Sequence, residues 1–136
     1  MKMNPYLTFA GNCEEAFHFY QKVLGGDIVA MMTHKDMPTG EQTPPDYADK
    51  IMHARLIFDD NVLMGSDAPN DRMQKMQGFS VTLGITDQTE AKRVYAALME
   101  GGAATMPLQE TFWAHLFGMF TDRFGTPWMI NCEKAA

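Results

Sequence analysis

Residues 109–131 read Gln-Glu-Thr-Phe-Trp-Ala-His-Leu-Phe-Gly-Met-Phe-Thr-Asp-Arg-Phe-Gly-Thr-Pro-Trp-Met-Ile-Asn. Every second residue of the first part has a large side chain: Trp113, His115, Phe117 and Met119. This period of two puts side chains on one face of a β-strand. Residues 122–125 are typical of a turn, and 126–132 form a second apolar run. The segment therefore predicts an aromatic β-hairpin with Trp113 and His115 on one face, lining either a ligand pocket or a core. For Phe124 and Trp128 we expect core packing.

A strand, Tyr6 to Ala10, and a helix are predicted at the start of the chain. Asn12 and Glu15 have the spacing of a capping box. Apolar residues then recur along one helix face: Ala16, Phe19, Tyr20, Val23 and Leu24. Gly25-Gly26 predicts the end of this helix, and a strand from Asp27 to His34 follows.

The same arrangement recurs at an offset of 75 residues, which places Ala16 opposite Ala91. A strand is predicted over 79–85, Asp87 and Glu90 form a second capping box, and Gly101-Gly102 ends the second helix. Its predicted apolar face consists of Ala91, Val94, Tyr95, Leu98 and Met99.

The repeat continues into the later strands, where His53 matches His115 at an offset of only 62. Thirteen extra residues must therefore lie between Thr33 and Lys50, and four helix- and strand-breaking residues there predict a long loop without regular structure: Pro38, Gly40, Pro44 and Pro45. A strand over 62–66 and a polar connector over 67–77 follow. We expect an α+β protein with one domain, 1–136, made of two βαβββ units, 1–67 and 78–136.

Composition excludes several classes of function. The net charge of −6 offers no basic surface for nucleic acid or for an anionic membrane. No apolar run is long enough to span a membrane and the first residues lack an apolar leader, so we expect a cytoplasmic protein. Cys13 and Cys132 are expected to be free thiols. The helix N-terminus favours a lowered pKa of the Cys13 thiol, whereas Glu14 and Glu15 oppose it; the alternative is a small residue at a helix start.

Three motifs resemble the PhnB-like branch of the vicinal oxygen chelate superfamily: residues 5–13, 109–115 and 122–131. This branch is also labelled 3-demethylubiquinone-9 3-methyltransferase domain, and the superfamily includes glyoxalase I, extradiol dioxygenases and bleomycin and fosfomycin resistance proteins. The resemblance covers essentially the whole chain. It implies curved mixed, mainly antiparallel sheets and a homodimer.

The metal ligands of the superfamily would fall on four positions of this chain: Pro5, Met64, Phe79 and Met129. Pro and Phe offer no lone pair and a thioether is a soft ligand, so the resemblance implies no standard metal site here. An alternative is a metal-dependent lyase or dioxygenase with displaced ligands drawn from five residues: His34, Asp36, His53, Asp67 and His115. A methyltransferase cofactor normally requires a glycine-rich strand-to-helix turn, which neither turn here has, so no cofactor is expected.

The preferred hypothesis is a protein that binds a small molecule in the concave sheet without a metal. The predicted pocket consists of Phe9, His53, Met64, Phe79, Trp113, His115, Met129 and Asn131. A Trp ring beside an imidazole suits the flat and polar parts of a small ligand. A dimeric scaffold without a ligand is a further alternative.

Overall fold

The computed structural model describes residues 1–36, 45–69 and 72–134 of the chain. The chain divides into two compact units, residues 1–74 and 75–136. Each unit has one helix on one side of a four-stranded sheet. The prediction of two βαβββ units is confirmed. Each helix has 12 residues, and none in the described ranges is long and apolar enough to cross a membrane.

The first unit contains sheet 1, in which β1 is parallel to β4 and the other pairs are antiparallel. The strand order is β1-β4-β3-β2. In chain order the elements are β1 (Tyr6–Phe9), α1 (Cys13–Leu24), β2 (Asp27–Thr33), β3 (Ile51–Phe58) and β4 (Asn61–Asp67).

The predicted loop between Thr33 and Lys50 is partly regular, so the expectation of no regular structure is wrong. Short 3₁₀ helices occupy His34–Asp36 and Pro45–Tyr47. A 3₁₀ turn needs only three residues, and a proline is tolerated at its first position, where no backbone donor is needed. Three of the four residues that predicted the loop lie outside the described residues: Pro38, Gly40 and Pro44.

The second unit contains sheet 2, with the corresponding order β5-β8-β7-β6 and one parallel pair, β5 with β8. Its elements are β5 (Val81–Gly84), α2 (Gln88–Met99), β6 (Ala103–Gln109), β7 (Ala114–Thr121) and β8 (Pro127–Glu133). The antiparallel pair β7 and β8 confirms the predicted hairpin. Trp128 is buried in the core, as expected.

The helices contact their sheets along faces close to those predicted. In α1 the side chain of Phe17 is fully buried and Phe19 is only half-buried, which reverses the prediction. Both residues are apolar and two positions apart, so periodicity does not separate them. The Asn12 side chain forms no capping bond, whereas Asp87 accepts a hydrogen bond from the Glu90 N–H at 3.2 Å.

The strand register assigns side chains to the two faces of each sheet. We call the face turned away from the helix the far face. On sheet 1 the register places on it Tyr6, Thr8, Met32, His53, Arg55, Met64 and Ser66. On sheet 2 it places there Thr82, Met106, Gln109, Phe117, Met119, Met129 and Asn131.

Candidate functional site

Aromatic rings converge on the far face of sheet 2. The Trp113 and Phe117 ring centroids are 5.3 Å apart at an interplanar angle of 66°. The Phe112 ring lies 4.8 Å from that of Trp113, and the Phe112 side chain is 89% exposed. Trp113 is itself 44% exposed, so this cluster presents a flat apolar surface to its surroundings.

Asn131 is the polar residue beside this cluster, directly opposite Phe117 in the β7 and β8 pairing. Its Nδ2 donates to Glu133 Oε1 at 3.0 Å. Its Oδ1 is buried and has no hydrogen-bond partner in the part of the chain that the structure describes. An unsatisfied buried acceptor costs about 1–3 kcal/mol, so a donor brought by a bound molecule would stabilise this position.

Three methionines and a threonine form the next row of the far face. Met106 is opposite Met119, Met119 is opposite Met129, and Met129 is opposite Thr82. The Thr82 hydroxyl lies 3.6 Å from the Met129 sulfur. Unbranched thioether side chains adapt to ligands of different shape, so this row is a flexible apolar surface beside Asn131.

Trp113 and His115, which were predicted to share a strand face, make no ring contact with each other in the part of the chain that the structure describes. β7 begins at Ala114, and its register with β8 is irregular between Ala114 and Leu116. The alternation of side chains between the two faces of β7 is therefore interrupted between Ala114 and Leu116. Trp113 packs on Phe117, and within the described ranges His115 forms no ring contact or side-chain hydrogen bond.

Two predicted pocket residues, His53 and Met64, lie on the far face of sheet 1. The His53 ring stacks on Tyr6 with centroids 5.9 Å apart, and the Tyr6 hydroxyl is 3.3 Å from His53 Nδ1. Tyr6 was not among the predicted pocket residues. Its alternation with buried Leu7 was the signal that could have placed it on this face.

Phe9 does not occupy the far-face position that was expected of it. Phe9 is fully buried on the helix side, where its ring makes an edge contact with Phe17 at 6.2 Å. Its assignment to the pocket is therefore corrected. Phe79 precedes β5 and is 49% exposed.

The residues at the superfamily's metal positions do not fit a divalent ion. The register pairs Met64 with Tyr6 and Met129 with Thr82, so thioether, phenol and hydroxyl groups meet there. These are poor ligands for Zn²⁺, Mn²⁺ or Fe²⁺ compared with imidazole and carboxylate. No group of three or more His, Cys, Asp or Glu side chains in the described ranges is arranged to hold a metal.

The displaced ligand set is not assembled either. Asp67 lies on the helix side of sheet 1, because it pairs with Phe9, whereas His53 lies on the far face. The Asp67 carboxylate accepts hydrogen bonds from three backbone N–H groups, those of Gly11, Cys13 and Ile51, each at 2.9 Å. Asp67 is therefore a structural residue.

The Cys13 thiol is buried at the start of α1. Burial, and then the charges of Asp67 and Glu14, raise the pKa of this thiol above its ordinary value. The suggestion of a lowered pKa is wrong, because desolvation and two carboxylates outweigh the helix N-terminus. Cys13 is thus a core residue and not a nucleophile.

This raised pKa predicts how stability depends on pH. In the unfolded chain the thiol ionises above about pH 8.5, whereas in the folded chain it stays protonated. The stabilisation is therefore complete below that pH and is lost as pH rises. We expect the wild type to lose up to about 2 kcal/mol more unfolding free energy than Cys13→Ala between about pH 7 and about pH 10. Urea unfolding at both pH values measures these free energies. An equal loss in the wild type and in Cys13→Ala would contradict the raised pKa of the Cys13 thiol.

Comparison with known proteins assigns the chain to a protein family. Residues 1–131 match the family described as 3-demethylubiquinone-9 3-methyltransferase. The chain belongs to this family. At the start of each helix one backbone N–H group donates to a carboxylate: Cys13 to Asp67, and Glu90 to Asp87.

Individual relatives agree with this family assignment. Protein YjdN of Escherichia coli is 39% identical over 144 residues, covering 98% of this chain and 97% of that protein. The crystal structure of PA1353 from Pseudomonas aeruginosa has a TM-score of 0.90 at 47% identity, with 99% of each chain covered.

More distant structures share the fold. A PhnB protein from Bacillus cereus has a TM-score of 0.79 at 23% identity over 96% of this chain and 98% of that chain. The fosfomycin resistance protein FosX of Listeria monocytogenes has a TM-score of 0.66 at 9% identity over 98% and 93%. The expected vicinal oxygen chelate fold is therefore confirmed.

Proposed function

We propose that this protein binds a small molecule on the far face of sheet 2 without a metal ion. The observation that carries the proposal is the buried, unpartnered Oδ1 of Asn131 directly opposite Phe117. A buried acceptor beside an aromatic surface suits a ligand that supplies the missing donor.

The surroundings of Asn131 define the chemical class of the ligand. The Trp113 and Phe117 rings suit a flat apolar group, and the methionine row suits a variable apolar substituent. The ligand must also carry an N–H or O–H group to reach Asn131. A small aromatic or unsaturated molecule with one donor satisfies all three conditions.

Replacement of Asn131 by Leu should separate binding from stability. The side chains have similar size, and Asn131→Leu removes the unsatisfied acceptor, so stability should stay equal or rise while ligand affinity falls at least about tenfold. A library of small phenols and aromatic amides, screened by ¹H–¹⁵N NMR, supplies the probes, and thermal unfolding reports stability.

Asn4→Leu is the matched control, because Asn4 precedes β1 and is exposed. It should leave the affinity of every hit unchanged. The proposal fails if no library member shifts the Asn131 side-chain amide signals, or if Asn131→Leu binds the hits as tightly as the wild type.

We also propose that the protein is a homodimer. Large apolar side chains that are exposed in the single chain support an interface: Val29, Phe79, Phe112 and Trp113. Native mass spectrometry of protein purified without chelators should give a metal-free particle of twice the 15.3 kDa chain mass. A monomer would contradict the dimer, and one divalent ion per chain would contradict metal-independent binding.

A further inference from the structure

The far face of sheet 1 carries a cluster of hydrogen-bond donors, none of which belongs to the residues proposed to bind a ligand on sheet 2. We call it the donor cluster: Tyr6, Thr8, His53, Arg55 and Ser66. Thr8 is directly opposite Ser66. His53 and Ser66 follow the Ala54 and Gly65 pair in the antiparallel ladder, and Arg55 is two residues from His53 on the same face.

The contact between Tyr6 and His53 orients the imidazole. A phenol hydroxyl can donate to or accept from an imidazole nitrogen, and either hydrogen bond fixes the plane of the ring. The Tyr6 hydroxyl lies 3.3 Å from Nδ1, so this nitrogen is the one that Tyr6 contacts. The other ring nitrogen of His53, Nε2, is then the one that a ligand on this face can contact.

Arg55 is the positive charge of this cluster. Its side chain forms no ion pair or hydrogen bond with the residues that the structure describes. Its neighbours across the sheet are Met64 and Ala30, both apolar. A carboxylate on the same face, Asp27, is opposite Ile57 and makes no ion pair with Arg55.

We propose that the donor cluster binds the oxyanion of a small molecule, a carboxylate or a phosphate-type group. The guanidinium presents two parallel N–H groups that match two oxygens of such an anion. The His53 ring and the hydroxyls of Ser66 and Thr8 can supply further donors, and hydrogen bonds to an ionised acceptor are stronger than neutral ones. Arg55 gives this cluster a positive charge within a chain of net charge −6, and this charge favours an anion over a neutral ligand.

Anion titration of the whole protein tests the proposal. Inorganic phosphate and sodium acetate are added separately at constant ionic strength, and NMR follows the ring signals of His53. We expect a saturable shift by about 50 mM, since even a millimolar site is filled there. Tighter binding of phosphate would indicate a phosphate-type ligand, and tighter binding of acetate a carboxylate.

Variants separate the donor cluster from general charge effects. Arg55→Met keeps the length of the side chain and should weaken binding at least about tenfold, and Arg55→Lys should retain part of the affinity. Arg72→Met makes the same charge change outside the sheet and should change the affinity less than about twofold. Tyr6→Phe should weaken binding with an unchanged melting temperature, because it removes only the hydroxyl that orients His53.

The proposal is overturned if neither anion gives a saturable shift, or if Arg55→Met and Arg72→Met have equal effects. Asn131→Leu should not alter phosphate or acetate binding, because these anions lack the apolar group that the sheet 2 site requires. Failure of one proposal therefore leaves the other intact.

Discussion

Asp67→Ala is expected to destabilise the folded protein by about 3–5 kcal/mol, because it leaves two buried N–H groups and one part-buried N–H group without their acceptor. Asp67 is only 4% exposed. Its Oδ1 joins the two N–H groups at the β1–α1 turn, and its Oδ2 accepts from Ile51 at the start of β3. One carboxylate thus connects three elements of the first unit.

Urea unfolding measures this effect as a lower midpoint with an unchanged slope. Asp67→Asn should lose less stability than Asp67→Ala. The amide oxygen can still accept hydrogen bonds, whereas the amide NH₂ group replaces the second acceptor and faces an N–H donor. Asp49→Ala is the control, because Asp49 is an exposed partner of Lys35 and its removal should leave the midpoint nearly unchanged. Equal midpoints for Asp67→Ala and Asp49→Ala would exclude this role.

The role of Asp67 shows what the sequence does not reveal about the site. Sequence reasoning placed it among candidate metal ligands, because a carboxylate at a strand end suits either role. Its three donors come from residues 11, 13 and 51, which only the folded chain brings together. Asn131 is similar, because an amide on a strand is ordinary until the register places it opposite Phe117 with an unpartnered oxygen.

The helices and strands were predictable because the sequence patterns that indicate them lie within short segments of the chain. Helical periodicity and paired glycines give α1 and α2, and the matching halves give the repeat. The errors occur where a local rule is ambiguous. Phe17 and Phe19 both suit an apolar face, and the irregular register at Ala114 breaks the alternation that paired Trp113 with His115.

The paired glycines lead to the second large expected effect, at Gly102. A Cβ at Gly102 would lie 2.2 Å from the Thr121 carbonyl oxygen and 2.9 Å from Asp122 Cα. Both are backbone atoms of the neighbouring strand and turn, so the strain cannot be relieved by a side-chain rotation. We expect Gly102→Ala to cost about 3 kcal/mol, at the upper end for overpacking.

Gly84→Ala is the matched control within the second unit, since a Cβ there meets nothing within 4 Å. It should leave the urea midpoint unchanged or raise it slightly, because alanine restricts the unfolded chain. Equal midpoints for Gly102→Ala and Gly84→Ala would show that β6 shifts freely to admit a methyl group.

Gly26 extends the argument to the first unit. There a Cβ would lie 2.1 Å from the Ile57 carbonyl oxygen, and the residue has a φ of +85°. In both units the second glycine of the pair marks the point where the chain leaves the helix and enters the edge strand against the backbone of the next strand. Gly26→Ala should therefore destabilise the protein at least as much as Gly102→Ala. It makes the same close backbone contact, and in addition an alanine is strained at this positive φ. A smaller loss would mean that the two Gly-Gly pairs of the repeat serve different purposes.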